Sequence, residues 1–403
     1  MGYEESSRAT GTSRRGSRRE RRRERRPLRM LVVGIGVLAL VGVIALGGYA
    51  FYLQRTVENN LEREDLNATQ DSVVTISPDT FGGTQPGDDD STDDDIDDSG
   101  LEGDGDIDED APPIVGEDGQ PIEVTQSEFS ATTPARPESS GEAMNFLIVG
   151  TDSRDLSQER GRSDVIVLMH ISDERDRVDL IHFPRDLFVP IPGTGGSSKI
   201  NAAYSYGGAP LLVQTLQPLI DVPIDHVVLV NFESFRAMTD AVGGVDVQVA
   251  EASPGFPQGV MHMDGDTGLE FVRERYALSQ GDISRGQRQQ AFIKGLMQKA
   301  LSSETLTNPA RVARFVDAAT TNLTVDADLE VSRMRDLGFA MRSVRGDDIH
   351  FETAPWTGIS DHPVAGSIVL LADDQMDSLS THLREDTMES YVDEVSPRQG
   401  FGG

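Results

Sequence analysis

Runs of consecutive apolar residues, separated by segments with a helical pattern, dominate the middle of this 403-residue chain. Four short runs rich in β-branched residues predict strands, and the first two are almost wholly apolar, as central strands of a sheet usually are. The predicted strands are Phe146–Gly150, Val165–Ile171, Arg177–Phe183 and His226–Asn231. Together they predict a buried sheet.

Between and after these strands, apolar residues recur at helical spacing. The predicted helices are Pro210–Ile220, Glu233–Val242, Gln287–Leu301, Pro309–Ala319 and Leu329–Arg345. Gly243-Gly244 is the expected stop of the second helix. Alternating strands and helices predict an α/β fold, here one α/β/α domain with a central sheet covered by helices. We place the domain at residues 143–385 and a flexible C-terminal tail at residues 386–403.

The N-terminal part of the chain predicts a membrane anchor. Residues 30–53 contain no charged side chain and are long enough, at about 1.5 Å per residue, to cross a hydrocarbon core of roughly 30 Å. Residues 1–29 carry eleven arginines against four glutamates, so the positive-inside rule predicts a cytoplasmic N-terminus and an extracytoplasmic remainder. A cleaved signal peptide is the competing interpretation, although its apolar core is normally shorter.

The segment after the predicted anchor is strongly acidic. Residues 55–142 carry 26 acidic and 3 basic side chains, and much of the net charge of -32 lies there. Such a segment buries too little apolar surface to offset the entropy cost of ordering it. Residues 54–142 are therefore predicted to be a disordered extracytoplasmic linker. The chain has no cysteine, which excludes disulfides and thiolate metal ligands.

Charged groups interrupt the apolar pattern between Asn145 and Gln290. Several directly follow a predicted strand, where a scaffold can direct them towards one point. In chain order the groups are Gly150-Thr-Asp-Ser-Arg154, Gly161-Arg-Ser-Asp164, Phe183-Pro-Arg-Asp186, Lys199-Ile-Asn-Ala-Ala-Tyr204, Phe271-Val-Arg-Glu-Arg275, Gly281-Asp-Ile-Ser-Arg285 and Arg288-Gln-Gln290. This arrangement suits an anion bound together with a divalent metal.

Asp152 and Asp164 each follow a turn near a predicted buried strand. Two carboxylates brought together there are a reasonable Mg²⁺ site, since this ion uses few protein carboxylates and keeps positions for phosphate oxygens and water. Either residue could equally be a helix cap or a turn residue.

Six arginines present planar forks of donors that suit a phosphate. They are Arg162, Arg185, Arg273, Arg275, Arg285 and Arg288. Each could be an ordinary surface salt-bridge residue, but the last four fall within 16 residues. Residues 271–275 are predicted to be a strand or strand-like stretch that directs two arginines to one side. Four like charges so close together fit a multiply charged anion such as a pyrophosphate.

Other classes of chemistry find little support in the sequence. The seven histidines show no metal-binding spacing, and neither a Gly-x-Ser-x-Gly elbow nor a P-loop occurs. A nucleic-acid-binding arm explains the N-terminal arginines less well than an anchor does, because they lie directly beside the apolar segment. Hydrolase triads and nucleotide-triphosphate enzymes are therefore not predicted.

The ordered motifs resemble the LytR-CpsA-Psr family of cell-wall ligases over about residues 145–301. Individually the motifs are short, but seven in this order are specific. The resemblance implies a single-pass membrane protein of a Gram-positive envelope with an extracytoplasmic α/β/α domain. It implies a phosphotransferase that moves a glycopolymer phosphate from a polyprenyl pyrophosphate carrier to a peptidoglycan hydroxyl. The glycan would be teichoic acid, capsule, arabinogalactan or similar, and membrane lipid but no nucleic acid would be a partner.

The resemblance also implies residue roles. Mg²⁺ would be held by Asp152 and Asp164, and these two residues with Arg185 would form the catalytic set. The implied ligands of the substrate pyrophosphate are Arg162, Arg185, Arg273, Arg275, Arg285, Arg288, Gln289, Lys199 and Asn201. Val165 stands where many relatives have Thr. The general base stays open, since Asp186 and Asp282 could each serve only to orient an arginine.

A polyprenyl chain would need an apolar slot. Residues that could line it are Leu211, Leu212, Leu216, Phe235, Met238 and Phe292, although ordinary core packing is the simpler explanation for each. Two other functions stay open. One is a pyrophosphatase that passes the lipid-linked substrate to water, and the other is a non-catalytic receptor for phosphorylated lipids that regulates envelope processes.

Overall fold

The structure is a computed structural model that describes residues 48–77, 111–151, 163–274, 277–279, 282–321 and 323–394. The chain divides into two compact units, residues 1–55 and 56–403. Only residues 48–55 of the first unit are described, and they are helical. The predicted N-terminal arm and residues 30–47 of the predicted anchor lie outside the described residues. No helix within the described ranges has the length and apolar character needed to cross a membrane.

In its described residues the second unit is built on two larger sheets and two separate pairs of strands. The strands, in chain order, are β1 (Glu62–Glu64), β2 (Val73–Ile76), β3 (Ile114–Val115), β4 (Pro121–Ile122), β5 (Ser127–Ser130), β6 (Met144–Thr151), β7 (Ser163–Ile171), β8 (Val178–Phe183), β9 (Leu187–Ile191), β10 (Gly196–Lys199), β11 (His226–Asn231), β12 (Val245–Val249), β13 (Gly259–Met263), β14 (Leu323–Asp326), β15 (Ile349–Thr353), β16 (Trp356–His362) and β17 (Gly366–Leu371).

Helices cover these sheets. They are α2 (Asn201–Ile220), α3 (Phe232–Val242), α4 (Gly265–Arg273), α5 (Asp282–Ala300), α6 (Ser303–Leu306), α7 (Pro309–Thr320), α8 (Val331–Ala340), α9 (Asp373–Glu385) and α10 (Met388–Glu394). The helix at residues 48–60, α1, comes before them in the chain and begins in the first unit. Short 3₁₀ turns lie at Glu138–Ser140, Met341–Ser343 and Gly346–Asp348. The mixed α/β fold expected from the sequence is confirmed.

The large sheet has the strand order β1-β14-β11-β6-β7-β8-β15. β11 runs parallel to β6, β7 runs antiparallel to β6 and β8, and β15 runs parallel to β8. A second sheet has the order β16-β17-β9-β10-β3-β4, and β12-β13 and β2-β5 form separate pairs. The four strands predicted from the sequence correspond to β6, β7, β8 and β11, in the middle of the large sheet.

Each face of the large sheet carries its own apolar cluster, because successive side chains of a strand point to opposite faces. On β6, Leu147 and Val149 pack into the cluster that contains α2 and α9. Met144, Phe146 and Ile148 belong to the cluster on the other face, where α8 and the end of α5 pack. A third cluster joins α3, α4, α5 and the β12-β13 pair.

The sequence prediction placed the domain boundaries too narrowly. Residues 54–142 were predicted to be disordered, but β1 pairs with β14 in the large sheet, and β3 pairs with β10 in the second sheet. Ile76 and Ile114 are fully buried in the main core. A few well-placed apolar side chains on existing sheet edges therefore order an otherwise acidic segment, of which residues 78–110 lie outside the described ranges. The predicted tail is also wrong over α10, where Tyr391 is buried.

Two further predictions need correction. Leu329–Arg345 is not one helix, since α8 ends at Ala340 and a 3₁₀ turn follows. α2 begins earlier than predicted and bends at Gly208, whose φ of 65° and ψ of -159° break the helical geometry. Gly243 ends α3 in the left-handed conformation, with φ 87°, as the sequence predicted.

Candidate functional site

The carboxyl ends of β6, β8, β11 and β15 lie at one edge of the large sheet, because these four strands run in the same direction. In open α/β sheets, ligands bind in the crevice outside the carboxyl ends of strands. The segment after β8 carries Arg185 and Asp186, and β10 ends at Lys199. Three charged side chains predicted from the sequence are thus brought to this part of the fold.

Arg185, Asp186 and Lys199 form a compact charged cluster. The Lys199 Nζ atom lies 3.1 Å from Asp186 Oδ1, and Arg185 Nε lies 3.8 Å from Asp186 Oδ2. All three side chains are largely buried. The carboxylate therefore offsets part of the charge of two cations and fixes their positions, which leaves the cluster with a net positive charge suited to an anion.

Asn201 joins the same cluster through its backbone. Its N–H donates to the Arg185 carbonyl at 3.2 Å, and its side chain is buried at the start of α2. No donor in the described part of the chain reaches the Asn201 Oδ1 atom. A buried acceptor without a donor is costly, so this atom is a candidate contact for a ligand donor or water.

The backbone of β6 and β7 brings together the two motifs that carry the predicted metal ligands. Thr151 lies opposite Ser163 and Gly150 lies opposite Val165, so Asp164 is the extra residue of a β-bulge. Bulges are common next to active sites. Asp152 and Arg162 lie outside the described residues, as does the side chain of Asp164. Elsewhere in the described ranges, no group of three or more His, Asp or Glu side chains could hold a metal ion.

Residues 271–275 were predicted to be strand-like. This prediction is wrong for residues 271–273, because they form the last turn of α4. Asp264 caps the helix by accepting from Thr267 N, and Phe271 and Val272 pack into the third cluster. The segment is therefore helical, and the adjacent residues Phe271 and Val272 lie on the same turn of α4. Arg273 is exposed in the last turn, and Arg275 lies outside the described residues.

α5 carries Arg285, Arg288 and Gln289, but their surroundings differ. Arg285 is half-buried, whereas Gln289 is buried and faces the cavity described below. Arg288 is only 5% exposed, and its guanidinium lies 4.5 Å from the centre of the Phe271 ring and 5.4 Å from that of Phe256. Burial lowers the pKa of Arg288, with Glu274 and Glu251 acting in the opposite direction.

Arg288 also ties α5 to the loop after β12. Its Nη2 atom donates to the Glu251 carbonyl at 2.9 Å and to Ser253 Oγ at 2.8 Å. Its Nε and Nη1 atoms are buried and meet no acceptor among the described residues. The Nη2 atom is therefore engaged in holding the loop, and Nε and Nη1 are the candidate donors to an anion.

Glu251 holds the segment between α4 and α5 with its carboxylate. Oε1 accepts from Ser279 N at 2.6 Å, and Oε2 accepts from Ser284 Oγ at 3.0 Å. These bonds, led by the one from Ser279 N, lower the pKa of Glu251. Glu251 and Arg288 together fasten the arginine-bearing segment to the β12 loop. This role is not predictable from the sequence, because nothing local to Glu251 indicates its partners.

An apolar cavity of about 380 Å³ lies between the large sheet and α3, α5 and α7. Such a volume falls within the range of ligand pockets, roughly 300 to 1,000 Å³. Its sheet wall includes Ile148, Val167 and Met169, and its helix wall includes Ile293 and Leu296. Protein interiors rarely leave empty space of this size, so the cavity is a candidate site for an apolar ligand.

The cavity reaches the carboxyl edge of the sheet. Gly150, His182, Asn231 and Gln289 line it there, close in sequence to the charged groups. His182 is fully buried, and desolvation lowers its pKa to about 4. The imidazole is therefore neutral at neutral pH, and the cavity wall carries no charge in its described part.

Only part of the predicted apolar slot lines this cavity. Phe235 and Met238 do so. Leu211, Leu212 and Leu216 pack on the opposite face of the sheet, and Phe292 is buried in the third cluster. The sequence could not separate the two faces, because α2 and α3 are both apolar.

Comparison with known proteins now identifies the group to which this chain belongs. A family model described as the LytR_cpsA_psr family matches residues 117–385, well over half of the chain. The chain belongs to the LytR_cpsA_psr family. The match begins before β5, so the ordered strands that precede residue 143 include part of the LytR_cpsA_psr domain.

Two curated relatives are both named polyisoprenyl-teichoic acid--peptidoglycan teichoic acid transferase TagU. The protein of Bacillus cereus (strain AH820) is 34% identical over 200 residues, which is 48% of this chain and 65% of the relative. The protein of Oceanobacillus iheyensis is 37% identical over 199 residues, or 47% of this chain and 60% of the relative. This member of the LytR_cpsA_psr family thus spans less than two thirds of both.

The fold is also found among solved structures. The crystal structure of B. subtilis TagV matches with a TM-score of 0.52 and 24% sequence identity, over 61% of this chain and 97% of that chain. At this identity the likeness supports the fold of the LytR_cpsA_psr domain alone.

Proposed function

We propose that this protein transfers a glycopolymer phosphate from a polyprenyl pyrophosphate carrier to a hydroxyl group of peptidoglycan. The observation that carries the proposal is the apolar cavity, whose wall includes His182 at the end of β8, the strand that Arg185 and Asp186 follow. A carrier with a long hydrocarbon chain and an anionic head matches both parts. The TagU relatives, whose name describes transfer of a polyisoprenyl-linked teichoic acid to peptidoglycan, support the same activity.

The hydrocarbon chain of the carrier would occupy the cavity. An apolar cavity of this kind offers water few partners and gains from an apolar occupant. The neutral state of His182 keeps charge out of the wall. Gln289, at the edge end of the cavity, could donate to the first oxygen atoms of the head group.

The pyrophosphate would lie beside Arg185, Lys199 and the donors of α5. An acceptor hydroxyl oxygen forms a bond to the phosphorus that bears the glycan, and the bond from that phosphorus to the bridging oxygen breaks. Polyprenyl phosphate leaves, and the hydroxyl proton passes to solvent or to a base. Fixed cations stabilise the charge on the phosphoryl oxygens, so positioning and electrostatics supply most of the catalysis.

Asp186 is better suited to orientation than to proton transfer. Its two carboxylate oxygens face Lys199 and Arg185, at 3.1 Å from Lys199 Nζ and 3.8 Å from Arg185 Nε. We therefore assign Asp186 the role of holding these two cations. The side chain of Asp282 lies outside the described residues.

A requirement for Mg²⁺ is part of the proposal, through Asp152 and Asp164. The pairing of Thr151 with Ser163 and the bulge at Asp164 support a site formed by these two motifs. A bound Mg²⁺ would neutralise part of the charge of the phosphate. Removal of divalent ions with a chelator is expected to lower turnover, and added Mg²⁺ to restore it.

Membrane anchoring through residues 30–53 belongs to the same proposal. The apolar segment and the arginines before it favour a cytoplasmic N-terminus and an extracytoplasmic second unit. That location would put the cavity where lipid carriers and peptidoglycan are both available.

The proposal is tested with the purified full chain, a polyprenyl pyrophosphate glycan and a peptidoglycan acceptor. Attached glycan and released polyprenyl phosphate are measured together. Arg185→Ala is expected to lower kcat/KM by roughly 10²- to 10³-fold, whereas Arg236→Ala, which removes an exposed arginine of α3 paired with Glu233, should leave it unchanged. Glycan release without attachment would indicate a pyrophosphatase, and binding without turnover would indicate a receptor.

A further inference from the structure

The exposed face of α8 carries an aromatic ring between two arginines. Arg335, Phe339 and Arg342 are spaced by four and three residues, which places them on one side of the helix and the turn that follows it. Phe339 is 69% exposed, and the Arg342 guanidinium lies 4.6 Å from its ring centre. A large apolar side chain held in water in this way needs an explanation beyond folding.

Charge in this segment runs against the rest of the chain. Residues 331–345 contain four arginines and one aspartate, so they carry a net charge of +3 in a chain whose total is -32. Asp336 pairs with Arg335 at 2.9 Å, but both groups are exposed. Arg333 is exposed as well. This local excess of positive charge complements an anionic surface.

The buried face of α8 packs next to the cavity. Met334 and Leu337 pack against the apolar cluster on that face of the sheet, to which Met297 and Leu301 also belong. Met297 and Leu301 line the cavity at the end of α5, far along the helix from Gln289. The inner face of α8 thus packs on an apolar cluster that also contributes to the cavity wall, while its basic and aromatic face is exposed.

We infer that α8 docks on an anionic bilayer surface, with Phe339 inserted at the interface and Arg335 and Arg342 at the headgroups. This inference rests on the proposed function, since a lipid-linked substrate must pass from a bilayer into the cavity. Aromatic side chains favour the interface, and basic side chains are attracted to anionic lipid. The exposed aromatic ring, an apolar group that a bilayer interface can bury, favours a bilayer over a soluble polyanionic glycan.

The test uses the full chain reconstituted in vesicles of phosphatidylglycerol and phosphatidylcholine. The chain has a single tryptophan, Trp356, so the Trp356→Phe background allows one indole to be introduced by Phe339→Trp. A matched control carries Val260→Trp, because Val260 is an equally exposed apolar residue on β13. Lipids with a quencher on the acyl chain should quench the indole introduced at Phe339 at least about twofold more than that at Val260.

Charge is tested in the same vesicles. Arg342→Glu should reduce quenching of the indole introduced by Phe339→Trp, and so should replacement of phosphatidylglycerol by phosphatidylcholine, whereas Arg236→Glu should have no effect. Equal quenching at the two positions would overturn the inference. It would also be overturned if lipid failed to quench the indole introduced at Phe339 while a soluble phosphate-rich glycan, or a second copy of the protein, shielded that indole from solvent. Quenching does not require turnover, so its outcome is separate from that of the transfer assay.

Discussion

Arginines that look alike in the sequence differ in their surroundings. Arg185 stands beside Asp186 in a cluster with Lys199, whereas Arg288 lies against Phe271 and donates to the β12 loop. A buried cation with aromatic and carbonyl partners contributes to packing as well as to charge. The identity of a residue thus predicts which groups it can bind. Its neighbours in the fold determine how many of its donors are already used within the protein.

Glu251 is expected to be important for stability, although the proposed mechanism gives it no contact with the substrate. In Glu251→Gln one oxygen can still accept from Ser279 N, but the bond to Ser284 Oγ must reverse so that the amide donates, and both bonds lose the assistance of the carboxylate charge. We expect a loss of about 1 to 2 kcal/mol in the free energy of unfolding, measured by denaturant titration. Glu233→Gln is the control, because Glu233 is exposed on α3, and an equal loss in both variants would contradict the role given to Glu251.

His182 predicts a pH dependence of stability. Its pKa is lowered to about 4 in the folded protein, while an unfolded histidine titrates near 6.5. Between these values the unfolded chain binds the extra proton, so the free energy of unfolding falls as pH drops from about 6.5 to 4, by up to about 3 kcal/mol from this group. His182→Leu should reduce this dependence in denaturant titrations across that range, and an unchanged slope would refute the assignment.

At the scale of elements, two helical glycines make a matched pair. A Cβ at Gly268 on α4 would lie 2.3 Å from the Phe292 ring, whereas one at Gly338 on α8 would meet nothing within 4 Å. Gly268→Ala is expected to lower the free energy of unfolding by about 1 to 3 kcal/mol through overpacking. Gly338→Ala should raise it by about 0.5 to 1 kcal/mol through helix propensity. Thermal unfolding measures both, and similar shifts would contradict the described packing of α4 on α5.

The sequence predicts an element well where its apolar residues form a continuous buried run. It predicts poorly the short strands whose formation depends on pairing with a distant strand. β6, β7, β8 and β11 are recognisable as apolar runs, and α3 is recognisable from its glycine stop. β1 and β3 are short and lie in acidic surroundings, so their order depends on edges supplied by β14 and β10. β15, β16 and β17 were not predicted, because their exposed residues weaken the pattern.

The candidate site was predicted in the same uneven way. Arg185, Lys199 and Asn201 meet as the motif order suggested, since each follows or ends a strand. The roles of Glu251 and of the cavity wall depend on contacts between elements far apart in sequence. Such contacts leave no local signal, so they could not be found without the fold.

At the scale of the whole molecule, the two faces of the large sheet differ in how closely they are packed. The face towards α2 is closely packed around Val149, which is fully buried. The other face leaves the cavity beside Val167. The fold tolerates a cavity on one face because the other clusters supply the packed core.

This contrast predicts opposite effects of the same substitution. Val167→Phe should fill the cavity, keep the melting temperature close to that of the wild type and lower turnover of the lipid-linked substrate at least about tenfold. Val149→Phe should instead overpack the core and destabilise the protein by about 1 to 3 kcal/mol. Thermal unfolding and the transfer assay separate the two. Full activity in the Val167→Phe variant would show that the cavity does not hold the carrier.

The fate of one phosphorus atom tests the central claim most directly. A carrier labelled in the phosphate that bears the glycan is incubated with the full chain, Mg²⁺ and peptidoglycan, and the label is followed through digestion of the wall. Transfer predicts that the label appears between glycan and peptidoglycan in amounts equal to the polyprenyl phosphate released. Label found only as soluble glycan phosphate, or still on the carrier, would contradict the proposed function.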